Sequence, residues 1–143
     1  MSNPVFDLSA VLRAAQMSHQ QAHWTTKGPT FYADHQLFGA LYEAIEDEFD
    51  TLDEKAVHQF GPEIVDSIEQ VKSMLECLQE WHKKKDLVER AYAVETAIQW
   101  EIRICREALV KKKELQPGMD NFLAQLADNH DKALYLLGQR KAK

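Results

Sequence analysis

The chain has 143 residues, 45% hydrophobic and 28% charged, which is enough apolar content for one domain, expected over residues 1–143, and enough charge for a soluble surface. A net charge of −6 argues against a surface given over to nucleic acid and suits the attraction of cations. The longest apolar run, Ala133 to Leu137, is far too short to cross a bilayer, and Met1-Ser2-Asn3-Pro4 has neither the basic flank nor the apolar core of a signal peptide, so a cytoplasmic protein is expected.

In chain order, Asp7 is placed to cap a first helix whose apolar face is Leu8, Val11, Leu12, Ala15 and Ala22, and Lys27-Gly28-Pro29 ends it. A second helix, from about Ala33 to Phe60, repeats apolar residues at fours and threes through Phe31, Phe38, Tyr42, Ile45, Phe49, Leu52 and Ala56, until Gly61-Pro62 stops it. From Glu63 a third pattern, Ile64, Ile68, Val71, Leu75, Leu78 and Trp81, runs to the polar stretch His82-Lys83-Lys84-Lys85. Asp86 caps a fourth, with Leu87, Ala91, Val94, Ile98, Cys105 and Leu109 on one face through Leu115. Gln116-Pro117-Gly118 separates it from a last helix, about Asp120 to Gln139, with Phe122, Leu123, Leu126, Ala127, His130, Leu134 and Leu137 inward. With five glycines and no alternating strand pattern, the chain reads as an all-α four-helix bundle, with an extra helix in the connection between the second and third long helices. Cys77 and Cys105 lie in helical patterns without a CxxC pair and read as reduced, buried thiols.

The chemistry concentrates between His23 and Glu54. Asp50 and Glu54 sit one turn apart on one helix face, and two imidazoles, His23 and His35, flank the Gly-Pro break. Two carboxylates with two imidazoles suit iron, or zinc at the same site. One chain cannot unite them through this helix, because fifteen residues at the helical rise separate His35 from Asp50 by about 22 Å, against ligand bonds of about 2 Å. Two copies packed antiparallel about a two-fold axis near Glu43 would bring His35 of one level with Asp50 and Glu54 of the other, so a homo-oligomer is expected. Seven acids fall between Glu43 and Glu54, and the remaining five read as a solvated face. His19, four residues before His23, reads as a surface or interface histidine, and Trp24 as interface core beside the site. No histidine has a glutamate three residues before it, which excludes an intra-chain centre built on Glu-x-x-His pairs. Phosphate loops, GxSxG elbows and CxxC pairs are also missing from the sequence.

His23-Trp24, Lys27-Gly28-Pro29, Phe31, His35, Phe38, Leu41-Tyr42, Asp50 and Glu54 together resemble the signature of the Dps mini-ferritins, with no gap in the spacing over about 35 residues. More loosely, Leu123, Leu126, Asp131-Lys132 and Leu136-Leu137 resemble that family's last helix. The resemblance implies a ferritin-like shell, a dodecamer of two-fold dimers, in which His23 and His35 of one subunit and Asp50 and Glu54 of its mate form a ferroxidase site. It further implies that Trp24 neighbours the site as an electron donor, that Fe(II) is oxidised by hydrogen peroxide or oxygen and stored as ferric mineral, and that Asp120 and Asp128 line an iron-entry pore. One departure is Gly39, which stands a turn after His35 where many members carry another aspartate. A mid-helix glycine costs about 1 kcal/mol against alanine, so its presence hints at a close approach to the backbone or at a weakened second iron position. Two other functions compete with ferroxidase. One is a DNA-coating protein, weakly supported because Arg13 is the only cation before Lys27 and the C-terminal tail offers only Arg140, Lys141 and Lys143. The other is a ferritin-like shell with weakened oxidase activity.

Overall fold

The computed structural model describes residues 3–142; Met1 and Ser2 of the leader and Lys143 of the basic tail lie outside them. Five helices follow one another: α1 Pro4–Thr25, α2 Phe31–Phe60, α3 Ser67–Trp81, α4 Leu87–Lys111 and α5 Pro117–Lys141, with a 3-10 turn at Pro62–Ile64 before α3. The architecture is the expected all-α bundle of four long helices plus one connecting helix.

The caps explain the boundaries. Asn3, rather than Asp7, caps α1: its side chain accepts from the Val5 amide at 2.8 Å with Pro4 in the first turn, while Asp7 lies inside that turn, where a carboxylate favours the helix dipole. Gly28 and Gly61, at φ of 96° and 98°, take the left-handed backbone that releases the chain from α1 and α2. Asp66 caps α3 and Asp86 caps α4 through their carboxylates. The third helix therefore starts four residues later than Glu63, because Pro62 and the cap at Asp66 leave only a 3-10 turn between them.

Side-chain pairs give the helix directions. His23 meets His35 and Arg13 lies over Phe49, so α1 and α2 run antiparallel. Asn129 meets Glu48 and Arg140 meets Asp34, so α2 and α5 do too, as do α4 and α5, where Gln99 meets Asp131 and Arg106 meets Asp120. It follows that α2 and α4 are parallel. The chain must return along the bundle between them, and α3, about 22 Å long at the helical rise, lies within that connection and packs on α1.

Around the bundle the neighbours run α1, α2, α5, α4, and α3 lies on α1. Ile45, Leu52, Ile98, Leu109, Leu123 and Leu126 are fully enclosed in the main core, while Phe38 and Leu137 anchor a second cluster towards the α1–α2 turn. Half of the expected apolar pattern of α3 is corrected. Trp81 is buried and Ile64 and Leu78 pack against the core, but Ile68, Val71 and Leu75 are 70%, 60% and 53% exposed, and Gln70 and Met74 are buried in their place. Polar anchoring sets that rotation: Gln70 donates to Ser9 at 3.1 Å and accepts from Arg13 at 2.8 Å, so a glutamine occupies a position that periodicity reserves for an apolar residue. Among the described residues, no helix is long and apolar enough to cross a membrane.

Candidate metal centre

The Gly28-Pro29 turn folds α2 back along α1 and brings His23 and His35 face to face. Their rings stack with centroids 3.7 Å apart and planes 15° apart. The contact is reciprocal: Nδ1 of His23 donates to the carbonyl of His35 at 2.7 Å, and Nδ1 of His35 donates to the carbonyl of His23 at 2.7 Å. A carbonyl only accepts, so each ring carries a proton on Nδ1, and in the neutral ring that leaves the lone pair on Nε2, the tautomer a metal-binding histidine needs. Phe31 stacks on His35 with centroids 5.0 Å apart, and Tyr42 meets His23 edge-on at 5.3 Å, which further fixes both rings.

Gly39 belongs to this arrangement. A Cβ added there would stand 3.1 Å from both Cε1 and Nδ1 of His23, so the imidazole packs directly on the glycine backbone. Any side chain at this position, an acid included, must displace the ring.

A second fixture lies beside His35. Asp34, 4% exposed, accepts from Arg140 Nε at 2.7 Å and Nη2 at 2.9 Å and from the Thr30 hydroxyl at 2.8 Å. The Arg140 guanidinium and Thr30 hold its carboxyl below the usual carboxylate range against the opposing pull of burial. The end of α5 is thereby tied to the start of α2, a connection that no local sequence signal announces because the partners are 106 residues apart.

Asp50 and Glu54 are exposed one turn apart on α2 and line a shallow groove with Asp53, Val57 and His58. Within one chain they stand apart from the histidine pair. Among the described residues, no three His, Cys, Asp or Glu side chains of a single chain surround a common point. Trp24 follows His23 and is 67% exposed, and Phe31 and Tyr32 are 40% and 74% exposed nearby in the sequence. Asp120, the expected pore residue, makes an ion pair with Arg106 at 2.8 Å.

The structure also assembles a group the sequence reading missed. His19 on α1, Glu48 on α2, Glu95 on α4 and His130 on α5 meet at the centre of the bundle, none more than 7% exposed. His19, expected at a surface or interface, is 1% exposed. Its Nε2 lies 3.3 Å from Glu95, whose other oxygen is 2.5 Å from Nδ1 of His130; Nε2 of His130 is 2.8 Å from Glu48, which also accepts from the Asn129 amide at 3.1 Å. His130 thus donates to a carboxylate from each ring nitrogen. Burial alone would pull its pKa down, but the hydrogen bonds to Glu48 and Glu95 and their charges push it up to about 10. For Glu95, burial alone would push the carboxyl up, and the bonds from His130 and His19 overcome it and bring it to about 2. The Glu-x-x-His rule could not find this group, since each helix contributes one side chain. A signal was present in the sequence as Glu48, Glu95 and His130 standing at helix positions that the packing places inward.

Among solved structures, the chain superposes on the X-ray structure of Dps from Thermosynechococcus elongatus with a TM-score of 0.81, covering 99% of this chain and 89% of that one at 20% sequence identity. The chain has the Dps fold. Its sequence matches no protein-family profile. No curated protein matches it either. On this Dps fold the histidine pair occupies the α1–α2 end of the bundle and the carboxylate pair lies further along α2.

Proposed function

We propose that the protein is a Dps-type mini-ferritin: a cytoplasmic ferroxidase that oxidises Fe(II) with hydrogen peroxide or oxygen and stores the ferric product, limiting oxidative damage. The observation that carries this reading is the reciprocal Nδ1-to-carbonyl pairing of His23 and His35, which leaves two preset Nε2 donors beside each other. Structural histidines do not need both rings held in the same tautomer. Two imidazoles leave coordination positions open, and Asp50 and Glu54 of a two-fold mate would complete the set with charge that stabilises Fe(III) over Fe(II). Trp24, exposed and adjacent to His23, is suited to lie in the dimer interface near the metal and to donate an electron to oxidising intermediates. Twelve such subunits, as six dimers, would enclose a mineral store.

The tail supports iron chemistry over the DNA-coating alternative. Arg140 is engaged by Asp34, and Lys141 lies 3.3 Å from Glu89, which leaves few free cations for phosphate at that end of the described chain.

Subunit complementation tests the proposal. Asp50→Ala and His35→Ala homo-oligomers should each oxidise Fe(II) poorly under peroxide. Unfolded and reassembled together, they should regain activity, with about a quarter of wild-type sites restored by random pairing, because each mixed dimer rebuilds one intact site of two. Recovery to no more than the level of the separate variants would refute shared sites.

A further inference from the structure

We propose that the centre of the bundle is a second, intra-chain site for a divalent transition-metal cation, with Glu48, Glu95, His130 and His19 as donors and the cleft between α2 and α5 as its entrance. Each of the four long helices contributes one donor of the kind metals take, two carboxylates and two imidazoles, and the four stand in one connected chain of contacts. Their burial makes an incidental origin expensive. Replacing a buried ion cluster by apolar side chains is often neutral or stabilising, so a bundle needing only stability would close its centre with leucine, as the layers at Leu52 and Leu126 do.

Three details fit a cation. His19 Nε2 and Glu95 Oε1 lie 3.3 Å apart, close to the separation of about 3.4 Å between two donors that each bond one tetrahedral metal at about 2.1 Å. His19 Nδ1 is buried without a hydrogen-bond partner, so the ring is not fixed by a second contact and is free to adjust to an incoming ion. Access exists as well: α2 and α5 touch only sparsely, and a cleft of about 390 Å³ between them, walled by Ala40, Ala44 and Ala133, reaches Glu48, Glu95 and His130. At this mouth the Asn129 amide orients the second oxygen of Glu48.

As the side chains stand, the protonated ring of His130 lies between the two carboxylates, and the donors do not surround one point. Loading therefore turns this ring. It gives up one carboxylate, presents one nitrogen to the metal and releases its extra proton to solvent through the cleft. His19, whose Nε2 donates to Glu95 in the empty site, passes to the tautomer with its proton on the unpartnered Nδ1, so that one divalent cation enters and one proton leaves, with no change of oxidation state.

This site is separate from the shared one, and binding of Co(II) to the metal-free protein without oxidant distinguishes them. In an Asp50→Ala/Glu54→Ala background, we expect one Co(II) per chain with visible d–d bands of mixed nitrogen–oxygen coordination. Adding Glu95→Gln should weaken that binding at least tenfold while circular dichroism still shows a folded bundle; if that change unfolds the chain, His19→Ala, which leaves the Glu48–His130–Glu95 contacts in place, must weaken it instead. Absence of Co(II) binding in the Asp50→Ala/Glu54→Ala protein, or binding that neither Glu95→Gln nor His19→Ala alters, overturns the bundle site and leaves the shared one standing. Wild-type protein that binds no more Co(II) than the Asp50→Ala/Glu54→Ala protein overturns the shared site instead.

Discussion

Gly39→Ala separates the needs of the helix from those of the metal. In an ordinary helix interior the change should stabilise the protein by about 1 kcal/mol, because alanine loses less backbone entropy than glycine. Here the new Cβ would stand 3.1 Å from Cε1 and Nδ1 of His23, where ordinary contact begins at 3.4 Å. The ring must retreat by about 0.3 Å to restore ordinary contact. It has little slack, being stacked on His35 at 3.7 Å and bonded to the His35 carbonyl at 2.7 Å. Retreat stretches that bond, which fixes the tautomer and aim of the ring, and loss of such a supporting bond weakens metal affinity by about 10- to 100-fold. The expected outcome is a protein whose denaturation midpoint changes by no more than about 1 kcal/mol but whose first Fe(II) or Zn(II) binds at least tenfold more weakly in anaerobic titration. Unchanged affinity in a folded Gly39→Ala protein would refute the account of both the glycine and the histidine pair.

Other perturbations follow from the same contacts. Arg140→Ala leaves the carboxylate of Asp34 buried without its guanidinium and should cost about 1–2 kcal/mol, read from denaturant unfolding, since Arg140 is itself partly exposed; an unchanged midpoint would show that Thr30 alone satisfies Asp34. Phe38, fully buried in the second cluster, should lose about 3–5 kcal/mol on truncation to alanine, measured the same way. In metal-free protein the central cluster should be most stabilising between about pH 4.5 and 6.5. His130, raised to about 10 in the fold, loses its contribution as pH climbs from its unfolded value of 6.5 through 10, and Glu95, lowered to about 2, loses its own as pH falls from 4.5 through 2. His130→Gln should accordingly flatten the alkaline fall in unfolding free energy, and an equal slope in both proteins would count against the charged ring. Burial, with the nearby Glu101 and Asp7 carboxylates, pushes the Cys105 thiol up to about 12, so iodoacetamide at pH 8 should leave it unmodified until the bundle unfolds.

Local chemistry in the sequence determined the helices. Gly28, Gly61, Pro117 and Asp86 act within a turn of themselves, so the breaks they make could be read without knowing the fold, whereas the cap at Asp66 moved the start of α3 four residues beyond the expected Glu63. The stripe Phe38, Ile45, Leu52, Ala56 on α2 was legible for the same reason, as was the spacing that sets His23 and His35 across a Gly-Pro turn from one another. Gly39 announced through its helix cost that something lies against it, but only the folded chain identifies His23 as the neighbour. Periodicity failed where polar contacts between distant segments decided the outcome. On α3, the bond that Gln70 donates to Ser9 and the one it accepts from Arg13 turned Ile68, Val71 and Leu75 outward. The central His19, Glu48, Glu95 and His130 escaped a search for paired ligands on one helix because a buried charge is made tolerable by partners contributed one at a time from other helices. Neutralisation of that kind depends on three-dimensional distance, which spacing along a single helix does not encode.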